Sequence, residues 1–187
     1  GAPRLRTLIH GDAAGDGACD LGVIIVDGGG HNKTSLNSLY TTLQDLAPDK
    51  DNITVAAWII THPHCDHYHG FFPFMEKYGD EVTVEKFFFN FPEWDDLTHY
   101  PKLEADGKVY AKWSGEEFVT GGEILRRFRQ QVEGMGVPVY TPHTGQTYRV
   151  GEAKLQILSS MDDTIHCSQN INATSLMFAM ELLFHML

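Results

Sequence analysis

The run Thr61-His62-Pro63-His64-Cys65-Asp66-His67 packs three imidazoles and a carboxylate into the six residues from His62 onward. Neutral imidazole and carboxylate suit a borderline transition metal such as zinc, manganese or iron, whereas calcium or magnesium would want oxygen donors alone. Residues two apart in an extended segment point the same way, so His62 and His64 can close on one ion. Asp66 and His67 diverge from that pair and would overcrowd the same ion, which predicts a second ion beside the first. Two ions a few ångströms apart can polarise a substrate and share a hydroxide that is nucleophilic near neutral pH. The alternative is a histidine-rich surface loop that binds metal adventitiously.

The elements that must position these groups are readable around them. Residues 22–26 form a β-branched run ending at three glycines, which reads as a strand. Residues 35–46 predict a helix with Thr34 as N-cap, because Leu36, Leu39, Tyr40, Leu43 and Leu46 make one apolar stripe, and Pro48 follows. Residues 55–60 are nearly all apolar, as in a strand buried on both faces, and they deliver the motif at its C-terminal edge, where α/β folds build sites. A strand over 82–89 places Phe87, Phe88 and Phe89 in the core. A helix over 122–133 presents Arg126, Arg127 and Arg129 as a solvated face. Strands are expected over 146–150, 153–159 and 174–184. Residues 92–122 break the pattern, with Trp94, His99, Tyr100, Tyr110, Trp113 and Phe118 among acids, Pro101 and glycines. Such a stretch is an insertion, either a lid over the metal cleft or a surface-packed loop of no catalytic meaning.

His-x-His-x-Asp-His after an apolar strand resembles the signature of the metallo-β-lactamase-fold superfamily of hydrolases. Gly22-Val23-Ile24-Ile25-Val26-Asp27-Gly28-Gly29-Gly30 is similar to the strand ending in Asp-Gly-Gly that precedes the motif there, and Gly70 with residues 71–78 resembles the helix that follows it. Within the superfamily, Ile60 to His67 and Asn170-Ile171-Asn172-Ala173-Thr174-Ser175-Leu176 are most similar to the ComEC-like branch. The resemblance implies an α/β fold, the αββα four-layer sandwich, where composition alone says mixed α/β. It implies a metal-dependent hydrolase acting on an ester, phosphoester or amide. His62 and His64 would hold the first zinc, Asp66 and His67 the second, with manganese and iron left open. Asp66 would also orient the hydroxide and take its proton, and Asp27 would brace the loop.

The departures from the family matter as much. A typical member supplies a third His before Ser-Leu, where this chain has Asn170 and Asn172, and the chain ends at Leu187 before the Gly-Asp and the last His-bearing segment. The expectation is a single domain over 1–187 with an incomplete second half. A degenerate or incomplete metal-binding domain without catalysis is the competing reading. His143 and His166 are the two remaining candidates for a ligand, each better read as a polar loop residue, and His69 and His31 could line the cleft.

With 187 residues, 42% hydrophobic and 11% aromatic, the chain can bury one real core. No apolar run is long enough to span a bilayer, and the first residues do not read as a signal peptide, although a leader removed before Gly1 is compatible with the sequence. Cys19, Cys65 and Cys167 are odd in number and widely spaced, which argues against a disulfide framework and favours a reducing compartment such as the cytoplasm. Cys65, inside the motif, reads as filler. A net charge of −11 disfavours nucleic acid as a partner, despite the small cluster Lys102, Lys108 and Lys112, and leaves a small molecule or phosphodiester as the expected substrate.

Overall fold

The computed structural model describes residues 7–9, 23–30, 33–47, 49–91, 121–168 and 171–182. Its first sheet is built from β1 (Thr7–Ile9), β2 (Val23–Val26), β3 (Ile53–Ile59), β4 (Val82–Val84), β5 (Phe87–Phe88) and β6 (Val139–Tyr140). The strand order is β1-β2-β3-β5-β6, with β4 also paired to β3. Only β1 runs antiparallel to its neighbour; the other pairings are parallel. Parallel neighbours need crossovers, and α1 (Lys33–Leu46) supplies the one between β2 and β3. The second sheet is an antiparallel meander of β7 (Thr147–Val150), β8 (Ala153–Ser159) and β9 (Met177–Leu182).

Side-chain alternation divides the interior into two layers. In β2, Val23 and Ile25 face a core shared with the helices, while Ile24 and Val26 face the second sheet. The register between β2 and β3 slips between Val23 and Ile24, leaving Ala56 as an extra residue in β3. That bulge lets Val55 and Trp58, three apart, both reach the helical side, and sends Ala56, Ala57 and Ile59 toward the second sheet. Leu36, Leu39 and Leu43 of α1, Phe71, Phe72, Phe74 and Tyr78 of α3 (Phe71–Tyr78), and Phe128 and Val132 of α4 (Gly121–Gly134) close the helical side. Val150, Ala153, Leu155, Ile157 and Leu176 close the other. The result is a mixed α/β sandwich of two sheets flanked by helices, as the resemblance implies. No described helix is long and apolar enough to cross a membrane.

Several boundaries differ from expectation for local reasons. The run over 82–89 is two short strands, the regular ladder breaking opposite Ala56 and Ala57 although Glu85 N–H still donates to Val55 O and Trp58 N–H to Lys86 O, and Phe87, Phe88 and Phe89 are all buried as expected. The segment before β9 is a 3₁₀ turn, Ile171–Thr174, so the last strand starts at Met177 and is described to Leu182. Thr34 lies inside α1, which begins at Lys33, and does not cap it. On α4, Arg126 and Arg127 are exposed, but the Arg129 guanidinium stands 5.8 Å over the Phe89 ring. Residues 92–120, nearly all of the expected insertion, lie outside the described residues, as do His31, Cys19 and Asn170.

Candidate functional site at the sheet rim

Parallel strands bring their C-terminal ends to one edge, and here that edge collects Asp27 after β2, Thr61 after β3, Asn90 after β5 and His143 after β6. Asp27 is the keystone. Its φ is 60°, the left-handed region that a non-glycine residue rarely adopts, and it is 1% exposed. What holds it there is its own carboxylate: Oδ1 accepts from the Thr61 backbone N–H at 2.8 Å and the Thr61 hydroxyl at 2.9 Å, and Oδ2 accepts from His67 Nδ1 at 2.7 Å. The Asp27 N–H in turn donates to Ile59 O at 2.8 Å. A buried carboxylate needs this many donors to stay in place.

The motif loop folds back on this keystone. His64 N–H donates to His62 O at 3.1 Å, a tight three-residue turn, and the helical turn α2 (Cys65–Tyr68) follows with His67 N–H donating to His64 O at 2.9 Å. The backbone is therefore not extended, and the alternation that would have paired His62 with His64 does not operate. His62 instead lies against His67, ring centroids 3.8 Å apart, with His64 at 4.9 Å. Two close backbone bonds pin the end of the loop: Gly28 N–H to His67 O at 2.5 Å and Gly70 N–H to Gly29 O at 2.9 Å. A Cβ on Gly70 would stand 2.1 Å from Gly28 O, so only glycine fits.

Hydrogen bonding sets the histidine tautomers. His67 donates through Nδ1 to Asp27, and His62 Nδ1 lies 3.1 Å from the Thr61 hydroxyl, whose proton goes to Asp27, so His62 also carries its proton on Nδ1. His62 Nε2 is left buried with no hydrogen-bond partner among the described residues. Burial above all, reinforced by the neighbouring His67 and His64 and opposed by Asp27 and Asp66, pushes the His62 imidazole down to about 4.

The orphaned Nε2 of His62 is a feature that a metal ion would satisfy, but the remaining donors do not complete a set. The Asp66 side chain is 74% exposed and its Oδ2 is 3.8 Å from His67 Nε2, outside hydrogen-bond range. Among the described residues, no group of three or more His, Cys, Asp or Glu side chains could hold a metal ion. The expectation of zinc, or of manganese or iron in its stead, is therefore overturned, and with it the hydrolase working through a metal-activated hydroxide between two ions. The motif is present, with Thr61 and Asp27 holding the Nδ1 atoms of His62 and His67, but its side chains do not converge as a ligand set.

The candidates outside the motif are placed elsewhere. His69 is buried and edge-on to Tyr68 at 4.6 Å, and His166 is exposed on the turn after α5 (Met161–Thr164). His143 Nδ1 donates to Asp162 Oδ2 at 2.5 Å. Asn90, 3% exposed, spends both amide hydrogens on Pro142 O and on the same Asp162 oxygen, each at 2.9 Å, and Ser160 Oγ adds a contact at 3.3 Å. Burial raises the Asp162 carboxyl, but the bonds from His143, Asn90 and Ser160 outweigh it and hold the group below the ordinary carboxylate range. Ser160 also caps α5 with Asp163 in a reciprocal box, and the Thr144 hydroxyl donates to Asp163. Sequence reasoning did not identify Thr61, Asn90 or Asp162. A polar Asn inside Phe-Phe-Phe-Asn-Phe was the one signal available for Asn90. Beside the motif, Leu176 N–H donates to Thr61 O at 2.8 Å, tying the segment with Asn172 and Ser175 to the loop.

A family model described as the metallo-beta-lactamase superfamily matches residues 20–151. None of the curated proteins matches the chain. Among solved structures, the chain is similar to a metallo-beta-lactamase HARLDQ-motif mutant S60 from Cronobacter sakazakii, with 12% identity and a TM-score of 0.44. That similarity covers 87% of this chain and 48% of the other, so the chain spans about half the length of the protein it matches.

Proposed function

The chain belongs to the metallo-beta-lactamase superfamily, and from that premise we propose that it is a member with a degenerate donor set, whose motif loop does not catalyse. His62, His64, Asp66 and His67 are its remaining donor positions, and Asp27 braces them as a structural cluster. One observation carries this reading: among the described residues no group of three or more His, Cys, Asp or Glu side chains could hold a metal ion, although the rings of His62, His64 and His67 lie near one another. A full metallo-hydrolase presents several converging donors with one coordination position open to substrate. Within the superfamily we place the chain nearest the ComEC-like branch, on the likeness of residues 60–67 and 170–176. We read 1–187 as one domain, with 92–122 an insertion in it.

Metal content tests the reading. Protein equilibrated with zinc and then desalted is expected to retain far less than one ion per chain, to behave like His64→Ala, and to show no phosphodiesterase activity above background. A whole ion or more per chain, lost in His64→Ala and accompanied by turnover that Asp66→Asn abolishes, would overturn it.

A further inference from the structure

The pair His143 and Asp162 lies outside the motif and has the architecture of an oriented base. Asp162 Oδ2 gathers three donors, and the buried Asn90 fixes it from below through an amide with both hydrogens in use. The carboxylate therefore presents one direction to His143, and because it accepts, His143 Nδ1 carries the proton. Nε2 is then the lone-pair nitrogen. The His143 side chain is 52% exposed, and no described residue bonds Nε2. His143 follows β6 and its support Asn90 follows β5, two strands and one strand over from Thr61, while Asp162 comes from α5 after β8.

We propose that His143 and Asp162, carried on Asn90 and Ser160, form a second chemical site of the domain, at which Nε2 accepts a proton from the hydroxyl of a small polar ligand reaching this rim. The proton moves from the ligand oxygen to Nε2, and the positive charge gained by the ring is balanced by the Asp162 carboxylate already bonded to Nδ1. A histidine held in this way by a fixed carboxylate keeps a single tautomer and ring orientation, with its Nε2 lone pair presented for attack. This inference does not depend on the state of the motif loop, since none of its residues belongs to it.

The test uses diethyl pyrocarbonate as probe on the whole chain at about pH 8, where an ordinary imidazole is neutral. The Nε2 lone pair bonds a carbonyl carbon of the reagent and the C–O bond to ethyl carbonate breaks with its electron pair. The Nδ1 proton ends on that leaving group, which decomposes to ethanol and carbon dioxide. Peptide mass spectrometry locates the adducts. His143 is expected to react several-fold faster than the exposed His166, and Asp162→Asn is expected to bring it down to the His166 rate. A wild-type His143 that reacts no faster than His166 would overturn the proposal, as would an unchanged rate in a folded Asp162→Asn protein. The wild-type comparison needs no variant, so a substitution that fails to fold leaves the test decisive.

Discussion

The rim holds two histidine–carboxylate pairs of nearly equal length, His67 with Asp27 at 2.7 Å and His143 with Asp162 at 2.5 Å, and they serve opposite ends. The first is enclosed, its side chains 9% and 1% exposed, and its carboxylate also holds the Thr61 backbone. The second is half in solvent, at 52% and 46%. A distance alone does not say what a pair contributes. Removing one partner of a buried pair strands the other away from water, whereas an exposed pair that is broken is simply rehydrated.

That contrast is open to measurement. Asp27→Ala should cost the most, about 3–5 kcal/mol by urea denaturation, because His67 and two Thr61 donors lose a buried acceptor at once. If it cost no more than the equivalent change at Asp162, the contrast would collapse. The next effect is one of pH. The His62 imidazole is pushed to about 4 in the folded chain, below its ordinary unfolded value of about 6.5. Between those values the unfolded chain binds a proton that the folded chain refuses, so stability should fall as pH drops from about 6.5 to about 4, by roughly 2 kcal/mol after allowance for solvent screening. Urea midpoints across that range, with His62→Gln as the variant that flattens the slope, would read this out. The smallest effect belongs to Asp162→Ala, about 1 kcal/mol, because the exposed pair is rehydrated while the buried Asn90 amide loses one acceptor, with the change confined to faster amide exchange over residues 89–91, 141–146 and 160–166. Exchange spreading into β2 and β3 would mean that the exposed pair carries more of the fold than its burial allows.

Much of the scaffold was legible because its signals are local. The apolar run ending at Asp27-Gly28-Gly29 and the two-sided burial of β3 follow from unbroken apolar stretches, and the stripe of Leu36, Leu39 and Leu43 from helical period. The motif residues were legible as chemistry, but their mutual arrangement was not. It turns on the bend at His62 and the helical turn at Cys65, which replace alternation by a fold-back and set His62 against His67. Asn90 and Asp162 are 72 residues apart, and no sequence period announces a contact between the end of a parallel strand and the first turn of a short helix. The bulge at Ala56 was hidden for a related reason: a continuous apolar run shows no phase in which an extra residue could be noticed.

The crossing of Gly28 and Gly70 bears on how portable the motif is. Residues 61–70 cannot be treated as a cassette, because their shape is completed by a backbone more than thirty residues upstream that must come within contact of Gly70. A graft of the loop into another scaffold would need the Asp27-Gly28-Gly29 turn carried with it at the same approach. Without that turn, the histidines would travel without the conformation that sets their tautomers.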